Sequence, residues 1–471
     1  MATLLRKDSD PCFRFTLSSH RRCLPGQSLA VPRREFFVDT QSRRSYTGSV
    51  SQRARINQHR RLSCRHGPPG SYCMPPLLAV VCILCCFPIA SFAADPAASK
   101  ALPVGPADRQ KPGTDAAAGP ASYDAVAQCL AGLRFPDTGG YYSPAKKAAW
   151  KQYAAAAGRR WKAFKKNKAA AISTWSSREL AHIRSSSRTV LYPFGGPDFL
   201  YAHTFFPDAD VYVLLGLEPT GRLPDFAGMG DTEFSSCFQL LDEALKDILQ
   251  ISFFKTDDMS EELSGECITG TLPVMMLFLA RIGSHITSLR FFDLDKNGLQ
   301  VYRRSSAECR GKKGYCRGIE IEFTRAGSSV TKRLVYLSAD LSDSGFSQCP
   351  GCKAFLEKLA GPVVSFAKSA SYLMHKSYFS GIRDLLLAKS TYILQDDSAI
   401  PYRCFNTTIW DITLYGTYAG PIEMFKEHFE DDLAAAYRRK GEKINFRFGY
   451  ATSSNLLLAR KIPYPQRDDI K

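Results

Sequence analysis

The stretch TVLYPFGGPDFLYAHTFFPDADVYVLLGLE, residues 189–218, decides the fold. Thr189–Phe194 carries β-branched and aromatic residues and predicts a strand. Gly195-Gly196-Pro197-Asp198 predicts a tight turn, and Phe199–Phe206 a short helix. Asp210–Leu217 is almost wholly apolar, which predicts a central strand covered on both faces, and Glu218-Pro219 ends it. Strand, glycine turn, helix and strand in this order make a crossover unit. In a nucleotide-binding unit of this kind, glycines let a ligand approach the backbone at the helix start, and an acid ending the second strand binds ribose hydroxyls. Gly195, Gly196, Asp198 and Glu218 are therefore candidate ligand-binding residues, with Asp396 assisting from a later strand end. The same pattern also fits a purely structural turn. Asp198 stands where it repels phosphate.

Downstream, a helix is predicted from about Ser235 to Phe254, and Leu272–Ala280 is apolar all round, which predicts a buried helix. An antiparallel block follows, with strands at Ser288–Leu294, Leu299–Arg303, Gly318–Arg325 and Lys332–Ala339. Helices are expected at Cys352–Leu359, Val363–His375, Phe379–Lys389 and Pro421–Arg438. Short strands are expected at Tyr392–Leu394 and Ile412–Tyr418, and a closing hairpin from Asn445–Tyr450 with Asn455–Arg460. Elements alternate early and segregate later. The expected class is α/β to α+β: a mixed sheet with an early Rossmann-like strand-turn-helix-strand unit and later antiparallel strands.

Five segments differ in composition. Residues 1–73 hold 14 Lys/Arg against 4 Asp/Glu and no apolar periodicity, which fits a disordered basic extension or a mis-assigned start. Residues 74–93 carry no charge and read as a signal peptide, with Ser91-Phe92-Ala93 offering a cleavage site before Ala94. Uncleaved, Leu77–Ala94 would be a membrane anchor. Residues 94–122 are an Ala/Pro/Gly linker, 123–188 a helical segment, and 189–465 the main mixed α/β domain. In the helical segment, Ser143-Pro144 opens a helix with Trp150, Tyr153, Ala157, Trp161 and Phe164 at helical spacing. Lys146–Lys168 holds nine basic residues and no acid. This helix either meets an anionic surface or packs its apolar face on the body. The net charge of +17 lies in this helix and the first 73 residues, so no nucleic-acid partner is expected of the fold.

Eight cysteines remain after the leader: Cys129, Cys237, Cys267, Cys309, Cys316, Cys349, Cys352 and Cys404. An even number in an exported chain suggests pairing, and Cys309 with Cys316 would close one hairpin loop. Cys349-Pro-Gly-Cys352 at a helix start is similar to the redox site of thioredoxin-like proteins, with Ile400-Pro401 standing for their cis-proline. That resemblance implies Cys349 as nucleophile and Cys352 as resolving thiol. An inert local disulfide is the competing expectation. Asp293-Leu-Asp295-Lys-Asn297-Gly298 matches half of a calcium loop, but Arg304 stands where the closing Glu belongs, so a turn with Gly298 at positive φ is expected. Gln395-Asp396-Asp397-Ser398 reads as solvated turn acids, whose side chains point to opposite faces. The histidines are scattered, and neither a metal nor a cofactor is expected. Asn406-Thr-Thr408 is a glycosylation sequon where a eukaryotic secretory pathway applies.

Two further resemblances follow from these residues. Residues 189–218 look like the first unit of a Rossmann-type methyltransferase, without its third glycine. Tyr192-Pro-Phe-Gly-Gly-Pro-Asp-Phe199, Gly216-Leu-Glu-Pro219, Ala370-Ser-Tyr-Leu-Met-His375 and Ile393-Leu-Gln-Asp-Asp-Ser398 are together similar to an uncharacterised family of exported bacterial proteins, over roughly 190–460. That family implies export and one integral body, and no mechanism. The expected protein is periplasmic or extracellular, binding an unknown ligand or envelope component. The alternatives are a thiol–disulfide oxidoreductase at Cys349/Cys352 and a surface-attached protein held through 146–168.

Overall fold

The structure, a computed structural model, describes residues 120–136, 142–251, 269–305, 316–449 and 453–463. The basic extension, the leader with Leu77–Ala94, nearly all of the linker, and Cys267 and Cys309 lie outside the described residues.

Helix α1 (Pro120–Leu130) precedes α2 (Pro144–Phe164). Ser143 caps α2: its hydroxyl accepts the Lys146 amide, and Pro144 occupies the first turn. A π-helical turn at Lys165–Ala169 carries the chain into α3 (Ala170–Glu179) and α4 (Ala181–Ser186). Tyr153, Ala157 and Phe164 are buried in the core, so the apolar face of α2 packs on the body. Lys146 is buried too, within reach of the Phe226 carbonyl. Lys151, Arg159, Lys162, Lys165 and Lys166 stay in solvent.

β1 (Thr189–Tyr192), α5 (Phe199–Phe205) and β2 (Val211–Gly216) form the expected crossover unit. α6 (Asp231–Ile251) and α7 (Leu272–Arg281), apolar up to its last residue, follow. β3 (Ser284–Leu294), β4 (Gln300–Arg303), β5 (Cys316–Arg325) and β6 (Thr331–Ser338) make the meander. Gly298 has φ +76° in the β3–β4 turn, where Asp295 accepts the amides of Asn297 and Leu299, so its carboxylate serves its own loop. Next come α8 (Asp343–Gln348) and α9 (Pro350–Glu357).

Three expectations fail in the remainder, and one of them is the helix expected at Pro421–Arg438, which begins only at Asp431. Val363–His375 is no helix: Val363–Ala367 is strand β7, paired in parallel with β1. All five of its residues are buried, so no polar alternation marks it, and a short apolar run fits either period. α10 (Ser380–Lys389), β8 (Ser390–Gln395), β9 (Trp410–Gly416) and α11 (Asp431–Lys440) follow. β10 (Asn455–Lys461) pairs antiparallel with β8 and β9 and makes no hairpin with 445–449, which is not a strand.

The sheet order is β4-β3-β5-β6-β2-β1-β7-β8-β10-β9. Strands β6, β2, β1, β7 and β8 are parallel, with antiparallel additions at both ends. Successive side chains alternate between two cores. Val190, Tyr212, Leu214, Tyr336 and Phe366 face the layer of α1–α3 and α5–α7. Leu191, Val213, Leu215, Val335 and Leu337 face the layer of α8–α11. Among the described residues no helix is long and apolar enough to cross a membrane.

The expected Cys309–Cys316 bridge is corrected. Cys316 is joined to Cys349, 33 residues away, with the Cα atoms 6.1 Å apart. Two close glycine contacts cause this. Gly298 lies against the backbone of Phe355 in α9, and Gly351 against the Asp295 carbonyl. The β3–β4 turn is thereby clamped on the start of α9. Cys316, paired with Leu294 at the end of β3, comes beside Cys349. Cys352 is a free thiol with no exposed surface, and burial pushes it up to about 12. Cys349 and Cys352 are therefore not a bonded pair. No peptide bond among the described residues is cis, Ile400-Pro401 included.

Candidate functional site

A crevice opens at the C-terminal ends of β1, β2, β6 and β7. The connection from β1 runs to β2 on one side of it, and that from β7 runs to β8 on the other. The crevice is thus the topological switch point, where open parallel sheets bind ligands. Its lining is mixed, with Phe194, Leu217, Leu341, Leu373 and Phe379 beside the polar groups.

Gly195, Gly196, Asp198 and Glu218, all singled out by the sequence, line it together. Glu218 is the central acid. Its carboxylate lies against Gly196 and Gly216: a Cβ added at Gly216 would stand 2.2 Å from its Oε2, and one at Gly196 3.1 Å. Both positions must lack a side chain for Glu218 to sit there. Tyr336 Oη donates to the Glu218 carbonyl at 2.8 Å and reaches Oε2 at 3.3 Å. Burial pushes the Glu218 carboxyl up against this hydrogen bonding.

Asp198 plays another part than the sequence suggested. It caps α5 by accepting the Tyr201 amide, and it is ion-paired at 3.0 Å with Lys368, the residue after β7. The two side chains are 2 % and 1 % exposed. Tyr192 Oη donates to Asp198 at 3.0 Å, and the Lys368 ammonium lies 4.1 Å from the Tyr201 ring centroid. The pair bolts the glycine turn to the end of β7. Sequence reasoning missed Lys368 because the segment was read as helix. Gly361-Pro362 before Val363-Val364, with small polar residues after Lys368, is the signal that favours a strand there.

The opposite wall is a loop of unusual backbone. Phe194, Ser369, Ser371 and Tyr372 are the non-glycine residues with positive φ among the described residues, between +53° and +59°. Three of them lie directly after β7. Such geometry persists where surrounding bonds over-determine it, and it gathers at functional sites. The bonds come from the end of β8. Asp396 accepts the Ser369 amide at 2.8 Å, Ser398 Oγ accepts the Ala370 amide at 2.7 Å, and the Ser398 carbonyl accepts that of Tyr372 at 3.0 Å. Asp396 therefore does not line the crevice; it holds the wall from beneath.

Asp396 and Asp397 are buried, where the sequence predicted solvated turn acids. Both bond the loop after β7: Asp396 takes the Ser369 amide, and Asp397 takes the Tyr372 hydroxyl at 2.5 Å as well as the Asn455 side-chain amide at 2.8 Å. The strand end lies under β10 and α11, which removes the solvent. Burial and the Asp397 carboxylate push Asp396 up to about 7, against the pull of its hydrogen bonds from Ser369 and Ser398. Burial, with Asp432 nearby, pushes Glu430 up to about 7 as well. A carboxyl raised in the folded state binds its proton more tightly there than in the unfolded chain. The stability these two contribute is full below about pH 4 and is lost as pH rises to about 7. The denaturant midpoint of an Asp396→Asn/Glu430→Gln variant should thus fall less than the parent's between pH 4.5 and 7.5. An equal fall in both proteins would refute these shifts.

Comparison with protein families, with curated proteins and with solved structures finds no match.

Proposed function

We propose that this is an exported binding protein whose switch-point crevice takes a small molecule carrying a vicinal diol, such as a nucleoside, with Glu218 as the diol-binding group. The observation that carries the reading is the seat of Glu218. Two side-chain-free positions make room for its carboxylate in the crevice lining, two residues beyond the end of the second parallel strand. That is where the ribose-binding acid of a Rossmann unit stands. The sheet supports it. Numbered along the chain, the parallel strands β6-β2-β1-β7-β8 have the order 3-2-1-4-5 of the doubly wound nucleotide-binding sheet. The bridge between Cys316 and Cys349 agrees with an oxidising compartment.

Isothermal titration of the full chain with adenosine, uridine and ribose tests the reading. At least one should bind, its 2′-deoxy counterpart should bind about tenfold more weakly, and Glu218→Gln should lose about tenfold or more, in line with a charged hydrogen bond of about 1.5–3 kcal/mol. No binding by any of the three, or binding indifferent to the diol and to Glu218, would refute it. An exchange reaction at Cys349 is the weaker reading, since Cys349 is bonded to Cys316 and Cys352 is sealed in the core.

A further inference from the structure

We infer that the crevice selects its ligand by charge: it takes a phosphate-free, preferably cationic compound and rejects the phosphate ester of the same molecule. The inference rests on the ligand-binding reading and adds the substrate class to it.

Nucleotide-binding turns attract phosphate because free amides at a helix start point at the ligand. Here four of those amides are already used. Gly196 N–H donates to the Leu215 carbonyl, Asp198 N–H to Gly195, Phe199 N–H to Pro197, and Tyr201 N–H to the Asp198 carboxylate. α5 has only seven residues, and its own capping carboxylate takes the place an anion would occupy.

The charges lining the crevice point the same way. Asp198, Glu218, Asp340 and Lys368 are its ionisable lining residues. Lys368 is held by Asp198 in the buried pair, so its charge is balanced inside the wall. Glu218 and Asp340 have no ion-pair partner among the described residues. Glu218 receives a neutral tyrosine hydroxyl, and Asp340, at the exposed edge, receives the Ser342 amide at 2.9 Å. A dianionic phosphate entering this space meets two carboxylates and no spare cation. An ammonium meets two acceptors, strengthened where water is excluded.

Three ligands differing only at the 5′ position separate the possibilities: adenosine, 5′-amino-5′-deoxyadenosine and adenosine 5′-monophosphate, titrated into the full chain at low salt. The amine should bind about tenfold tighter than adenosine, and the monophosphate at least tenfold weaker. Both gaps should shrink in 0.5 M salt and in Asp340→Asn, an exposed position whose replacement spares the fold. Monophosphate binding equal to or tighter than adenosine's would overturn the charge selection and leave the binding reading standing. So would gaps unmoved by salt. Failure of all three ligands to bind would refute the nucleoside reading itself, and the inference with it.

Discussion

Lys368→Met should cost the folded protein about 3–5 kcal/mol, the usual loss when one partner of a buried ion pair is removed. The ammonium is the cation on Asp198, and both side chains are sealed from water. Methionine keeps much of the length and leaves a carboxylate with the Tyr192 hydroxyl and the Tyr201 amide alone. Burial already pushes the Asp198 carboxyl up, with Lys368 pulling it down, so loss of Lys368 drives it further toward protonation. The variant should therefore recover stability as pH falls. The double variant Asp198→Asn/Lys368→Met should regain part of the loss, since no uncompensated charge remains. Urea titrations at pH 5 and pH 8 measure all three. A single-variant loss below about 1 kcal/mol at both pH values would mean that the pair is hydrated and does not bolt the turn to β7.

Phe366→Ala should also cost about 3–5 kcal/mol. The ring has no exposed surface and meets four others, with centroids at 4.7 Å to Tyr192, 5.2 Å to Phe205 and 6.0 Å each to Phe206 and Phe448. Its neighbours come from β1, the end of α5 and the segment before β10, so they cannot close over the gap together. Phe366→Leu, which keeps most of the volume, should cost much less. If alanine were tolerated as well as leucine, β7 would not run through the middle of the sheet. The substitution thus tests the topology along with the core, and it tests the strand that sequence reading took for a helix.

Much of the architecture was legible. The Thr189–Glu218 unit, the Ser143 cap, the buried helix at 272–281 and the meander all form where local signals put them. The candidate site was half legible. Gly195, Gly196, Asp198 and Glu218 lie within 24 residues of one another, at the ends of two strands paired by one local crossover, so their proximity follows from it. Lys368 and Asp340 reach the same crevice, and Tyr336 reaches Glu218, from strands that become neighbours only in the assembled sheet.

Sequence alone determined which segments carry a polar and an apolar face, where a cap or a glycine must stand, and that the early unit is a parallel crossover. These are short-range properties, set by the 2.0 and 3.6 periods and by backbone sterics. Tertiary structure decided that Val363–Ala367 is a strand beside β1, that Cys316 meets Cys349, and that Asp396 lies beneath a wall of the crevice. Each depends on contact between residues far apart in the chain. A strand buried on both faces shows no alternation, a thiol carries no mark of its partner, and a turn acid is solvated or buried according to what later packs upon it.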